Sequence, residues 1–282
     1  MIGWFTEAFE PEFMQRALVA GLLAGVATAV VGTWVVIRGL TFLGDALAHG
    51  VIPGLALAVL WGFSPIAGAF AAALVMSGAV TVVTRRARVR EDTGIGLLFV
   101  GMLALGVIII SRAESFATNV TSVLFGDVLG VTWGDVRGQA VGAAAVVAAS
   151  AVLHRPFLAL AFNQDKAATL GMRPALAHAA LMVLLATAIV ASFQAIGTLL
   201  VFGLLIGPPA TASLVVRRVP LVMLTAVALS AATVVAGLAI SFQHDTAGGA
   251  TIAGLAVGEF FAVLAAQEAT RALRATRRRH AV

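Results

Sequence analysis

Nine stretches of this chain are apolar for long enough to cross a bilayer, which takes about 20 residues each. They run at roughly 14–37, 39–61, 63–84, 94–111, 136–153, 176–193, 195–215, 219–240 and 250–268. They predict an all-α, polytopic membrane bundle of nine helices, with eight as the alternative, in a single domain over residues 1–282. Between the apolar runs lie the basic clusters: Arg38, the group Arg85, Arg86, Arg88 and Arg90, the loop with His154, Arg155, Lys166 and Arg173, the pair Arg217 and Arg218, and a tail from Arg271 to Arg279. Nine crossings place all of these on one side. Because cytoplasmic loops carry the excess of Lys and Arg, that side is the cytoplasm, and the acidic N-terminus lies outside.

Two stretches between the runs are long. Residues 112–135 fall on the outer side and hold an apolar piece too short to span, as in a re-entrant or interfacial segment. Residues 154–175 fall on the cytoplasmic side. There Asn163 can cap a short helix with Asp165 in its first turn, and Gly171 followed by Pro174 can end it. A short capped helix presented to the cytoplasm suits a docking element.

Composition agrees with a membrane protein. The chain is 61% hydrophobic and 11% charged, against about 25% charged in soluble domains. The formal charge of +5 sits in the loop clusters rather than on one soluble face, so nucleic acid is not implied. There is no cysteine, so any metal must be held by oxygen and nitrogen. The first thirteen residues carry Glu7, Glu10 and Glu12 and no basic residue, the opposite of a secretory leader, and predict no cleavage.

Twenty-nine glycines and many alanines favour close helix packing, since small side chains let backbones approach in lipid. Three prolines within apolar runs stand apart. Pro53, Pro208 and Pro209 each remove a backbone donor, and broken helices at membrane depth are tolerated mainly where they line a cavity, which makes these positions candidate gates.

The ionisable groups inside the runs are few. Asp45 and His49, four apart, share one helical face. An Asp near a membrane helix centre costs about 2.5–3.5 kcal/mol, so such a group is retained for a task. A carboxylate and an imidazole converging from one face are half of a divalent-metal site, of a kind suited to zinc or manganese. Counted from Gly39, His49 lies about 15 Å along its helix, near mid-membrane. His244 and Asp245 are adjacent at the outer edge of the last run, and in a loop both could face one ion, although surface solvation explains them equally well. Glu259 is read as bundle-facing or paired, and His178 as a packing or interface histidine.

Enzyme signatures are missing. The one lysine, Lys166, is not preceded by glycine, so the chain contains no GxxxxGK[ST] phosphate loop and is not itself a P-loop ATPase. It also lacks HExxH. On the residues alone two other classes stay open: a gradient-driven secondary transporter with Asp45 as the titrating group, and a membrane hydrolase using the Asp and His.

The run RGLTFLGDALAHGVIPGLALA, Arg38 to Ala58, closely resembles the signature of the manganese/zinc/iron ABC-transporter permease family. Three more blocks agree in order: SVLFGDVLG at 122–130, DKAATLGM at 165–172 and AIGTLLVFGLLIGPPATASLVVRR at 195–218. The resemblance spans about Phe13 to Ala266. It implies a type II ABC importer-like fold and a homodimeric subunit in the bacterial plasma membrane, surrounded by lipid. It also implies two partners, a cytoplasmic ATP-binding subunit and an extracytoplasmic metal-binding protein, and no permanently bound cofactor. By position, Asp45 and His49 match the ligands of the transported metal, and Asp245 matches the acidic residue of an outer motif, here SFQHDTAGG. The block with Asp165, Lys166, Ala167, Leu170 and Gly171 resembles the loop that couples to the ATPase. In the outer motif Phe242 and Gln243 stand where tyrosines are usual, and His244 replaces an apolar residue. That added nitrogen beside Asp245 favours zinc over the harder manganese.

Overall fold

A computed structural model describes residues 7–87, 89–111, 130–162 and 173–279. Among these it contains eleven helices of nine residues or more and no strand. They are α1 (Glu12–Ile37), α2 (Thr41–Gly50), α3 (Ile52–Trp61), α4 (Pro65–Ala87), α5 (Glu91–Ile110), α6 (Trp133–Val152), α7 (His154–Phe162), α8 (Pro174–Ile196), α9 (Thr198–Val215), α10 (Val219–His244) and α11 (Gly248–Arg279).

The all-α membrane bundle stands, and the count of nine crossings is too high. Among the described residues seven helical stretches are long and apolar enough to span, with α2 and α3 together forming one of them, Thr41–Trp61. An eighth is reached if α6 and α7, which meet at 67°, count as one broken span. The run expected at 195–215 yields only a shorter apolar helix, Leu200–Val215. Residues 154–162, assigned from the sequence to a cytoplasmic loop, remain helical as α7. The capped docking helix expected near Asn163, with Asp165, Lys166, Ala167, Leu170 and Gly171, lies outside the described residues, as does most of the outer stretch 112–135.

Helix α1 is the centre of the bundle, with α6, α8, α9 and α10 packed around it. Its spanning window is 72% buried, against 17% for α5 at the edge. Lipid tails are as apolar as leucine, so hydrophobicity does not drive helices together here; close packing and internal hydrogen bonds do. Both are visible along α1. A Cβ on Gly21 would strike Val234, one on Gly25 would strike Ser230, and one on Gly32 would strike the backbone carbonyl of Leu205. Two buried amide and indole groups tie α1 to α6: Gln139 Nε2 donates to the Ala20 carbonyl at 3.0 Å, and Trp34 Nε1 donates to Ser150 Oγ at 2.9 Å.

The ends of these helices fix their relative direction. Trp133 Nε1 donates to Glu12 Oε1 at 3.2 Å, so α1 and α6 start together and run parallel. Arg38, at the far end of α1, donates to His178 Nδ1 at 3.0 Å. That contact brings the start of α8 to the end of α1, and it gives His178 an ionic neighbour rather than a purely packing role. At the opposite face, α6 opens with a capping box: Thr132 Oγ1 accepts from the Asp135 amide at 3.3 Å while Asp135 Oδ2 accepts from the Thr132 amide at 3.0 Å. Such a cap satisfies two of the helix's orphan donors and contributes about 0.5–2 kcal/mol.

The contact of Gly32 with the Leu205 carbonyl leads to a direct test. Gly32→Val forces α1 and α9 apart and is expected to lower stability in detergent by at least about 1–3 kcal/mol, the usual cost of overpacking. Gly101→Val, where an added Cβ meets open space, should leave the thermal unfolding midpoint unchanged. Equal midpoints for the two variants would contradict this packing.

Candidate metal-ion site

Helix α2 presents two unlike faces. Leu43, Ala46, Leu47 and Gly50 are buried toward the bundle, whereas Phe42, Asp45 and His49 lie on the other side, facing α5. The helix begins at Thr41, two residues later than the sequence suggested. A rise of about 1.5 Å per residue therefore puts Asp45 about 6 Å and His49 about 12 Å into the span Thr41–Trp61, which has a further 18 Å or so beyond His49.

The two side chains meet. His49 Nδ1 lies 3.4 Å from Asp45 Oδ1, with each side chain 28% exposed. The same nitrogen lies 3.1 Å from the Asp45 backbone carbonyl, to which the imidazole donates its Nδ1–H. The Phe99 ring of α5 stands edge-on to the imidazole, with centroids 5.7 Å apart and planes at 88°. Phe42 meets Phe99 in turn at 6.1 Å. The pair is thus boxed by aromatic rings on one side and open on another. Phe99 was not singled out from the sequence, because no spacing rule links residue 49 to residue 99 before the helices are packed.

The separation has a chemical meaning. Two ligands at about 2.0–2.2 Å from one zinc in tetrahedral geometry are about 3.4 Å apart. The Asp45 and His49 atoms already sit at the edge length of such a polyhedron, and one ion bound by both would replace the Nδ1 proton.

The candidate gates and the candidate site are mechanically joined. Pro53 falls in the first turn of α3, and its missing N–H would otherwise bond the His49 carbonyl, so the span breaks at Val51 directly beyond the histidine. Pro208 and Pro209 lie inside α9 and free the carbonyls of Leu204 and Leu205. Leu205 packs against Gly32 of α1 through its backbone and against Gly44 of α2 through its side chain. The residue next to Asp45 therefore rests on the helix that carries the double proline.

The outer pair is placed differently. His244 ends α10, and Asp245 is its C-cap in the left-handed conformation, φ 50°. Aspartate is one of the few residues that tolerate this backbone, so Asp245 has a structural reason for its place. Both are exposed. Among the described residues no three His, Asp or Glu side chains gather closely enough to hold a metal, so a single chain does not unite His244 and Asp245 with Asp45 and His49. Glu259, read from the sequence as bundle-facing or paired, accepts from Thr233 Oγ1 at 2.9 Å on the flank of α10 and α11.

Comparison with known proteins bears on the whole chain. The ABC 3 transport family matches residues 10–267. A probable iron transport system membrane protein of Haemophilus influenzae is 32% identical over 94% of this chain and 97% of its own length. The manganese import system permease protein ScaB of Streptococcus parasanguinis is 34% identical over 85% of each chain. Among solved structures, PsaBC from Streptococcus pneumoniae in complex with Fab superposes with a TM-score of 0.84 at 30% identity, covering 93% of this chain and 95% of the other. A putative metal-chelate type ABC transporter in an inward-facing conformation shares the fold, with a TM-score of 0.71 at 15% identity. The helical spans described above are thus those of a transporter's membrane subunit, and the chain belongs to the ABC 3 transport family.

Proposed function

We propose that this chain is the membrane subunit of an ATP-driven importer for a divalent metal ion, and that Asp45 and His49 are the protein ligands of the ion in transit. The observation that carries the reading is the 3.4 Å approach of Asp45 Oδ1 and His49 Nδ1 within a membrane span, on a face left partly open. Two donors do not complete a coordination sphere. A homodimer apposing two α2 faces supplies four, two oxygens and two nitrogens, enough to replace much of an ion's hydration shell. Manganese and iron stand in the names of the relatives, and an oxygen–imidazole set accepts either of them as well as zinc.

ATP is hydrolysed by a separate cytoplasmic subunit. The segment with Asp165, Lys166, Ala167, Leu170 and Gly171 follows α7 and precedes α8, and by its resemblance it docks that subunit. Helix α8 touches both α1 and α2, so movement at its start is passed to the helix bearing the ligands. Leu205, wedged between α1 and α2 where α9 lacks two backbone bonds, is the yielding point, and Pro53 gives a second one beyond His49. The metal is delivered by an extracytoplasmic binding protein, and the exposed His244 and Asp245 belong to the rim that meets it rather than to the central site.

In proteoliposomes with the ATPase present, Asp45→Ala and His49→Ala should each reduce metal uptake at least about 100-fold, since even changes behind a direct ligand cost about 10–100-fold. Basal ATP hydrolysis should remain. His244→Ala should keep more than about half of the uptake, as fits an exposed rim contact worth well under 1 kcal/mol. Wild-type uptake by either Asp45→Ala or His49→Ala would defeat the assignment.

A further inference from the structure

Helix α1 closes on Trp34, in its last turn, and on Arg38, its C-cap. Four residues apart, the two side chains lie on one face. Trp34 is fully buried. Its indole ring stands 5.3 Å from the His154 ring and edge-on to Phe157 at 5.5 Å, both in α7, and its Nε1 donates to Ser150 Oγ just before the bend between α6 and α7. Arg38 holds a different helix: its guanidinium donates to Nδ1 of His178, in the first turns of α8, at 3.0 Å. A guanidinium has donors only, so Nδ1 accepts through its lone pair and the imidazole proton sits on Nε2. The bond is charge-assisted, which places it among the stronger side-chain contacts. Helices α7 and α8 are the two that flank residues 163–173. One turn of α1 thus grips both flanks of that segment, one by packed rings and the other by a hydrogen bond.

The chain beyond Arg38 is stiff. Gly39 takes φ 68°, the left-handed conformation that glycine adopts without penalty. Two backbone bonds close the turn, from the Leu40 amide to the Val35 carbonyl at 2.9 Å and from the Gly39 amide to the Val36 carbonyl at 3.1 Å, the Schellman arrangement. The buried Leu40 then accepts from the Leu43 amide at 3.0 Å, so α2 starts at Thr41 and carries Asp45 in its second turn. With these torsions fixed, a displacement of the last turn of α1 is carried into α2 rather than absorbed by the turn.

We propose that this turn is the relay between ATP hydrolysis and the metal ligands, with Arg38 and His178 as positioning residues for transport. The inference rests on reading the chain as an ATP-driven importer whose ATPase docks between α7 and α8. Movement of the docked subunit displaces both flanking helices; Trp34 and Arg38 collect the two displacements, and the closed turn at Gly39 passes them to the helix that bears Asp45 and His49. Neither Arg38 nor His178 touches the ion.

The test compares variants of the full transporter in proteoliposomes with the ATPase present, reading manganese transported per ATP hydrolysed. A destabilised protein loses uptake and hydrolysis together, so this ratio separates coupling from folding. His178→Leu, which removes the acceptor, should lower the ratio at least about threefold, the scale on which changes along a coupling path act. His178→Asn, whose side-chain oxygen replaces Nδ1 as the acceptor, should keep most of it. Arg38→Met should lower the ratio as His178→Leu does, and the two together should do no more than either alone, as befits two halves of one contact. Manganese binding by the purified His178→Leu protein should match wild type. A wild-type ratio in His178→Leu, or an equal fall in His178→Asn, would overturn the relay while leaving the importer reading intact. Wild-type protein without ATP-driven uptake would overturn both.

Discussion

Everything in this fold turns on how polar groups are satisfied where water is absent. A carboxylate and an imidazole one helical turn apart in a membrane span cost several kcal/mol unless something compensates them. Here each compensates the other: the imidazole reaches the aspartate's carboxylate and its backbone carbonyl at once. That mutual contact keeps the pair tolerable within the span. It also sets the two atoms at the spacing of two ligands on one tetrahedral metal ion.

The helices around the pair follow the same rule. Buried side chains of α1 and α6 find partners across the bundle, Trp34 with Ser150 and Gln139 with Ala20. Prolines in α9 remove backbone bonds, and the freed Leu205 carbonyl abuts Gly32 with no side chain between. A helix weakened there and packed against both α1 and α2 is suited to shift when force arrives from the cytoplasmic side. The central helix, its proline-weakened neighbour and the helix of the proposed ligands thus lie side by side.

Much of this was legible in the sequence. The apolar runs gave the bundle, and the four-residue spacing of Asp45 and His49 placed both on one face, as the structure has them. The run at 195–215 misled because Gly197, with φ 77°, ends α8 and starts α9, which leaves the helix short of a full span, a break hydropathy averaging does not register. Residues 154–162 read as loop because His154 and Arg155 looked like solvated charge; the His154 ring instead lies 5.3 Å from Trp34, and the chain stays helical through a sharp bend. Asp245, a candidate ligand by its chemistry and its match to the outer motif, also caps α10 in the left-handed region, a role visible only from its backbone. Phe99, the wall of the site, came from a helix more than forty residues downstream and had no local signal.

X-ray absorption at the metal edge, on the purified transporter loaded with zinc, bears most directly on the central claim. The account predicts a first shell of oxygen and nitrogen near 2.0–2.2 Å with the outer-shell scattering of imidazole, which disappears in His49→Ala. An identical spectrum in that variant, with imidazole scattering intact, would show that the ion is held elsewhere.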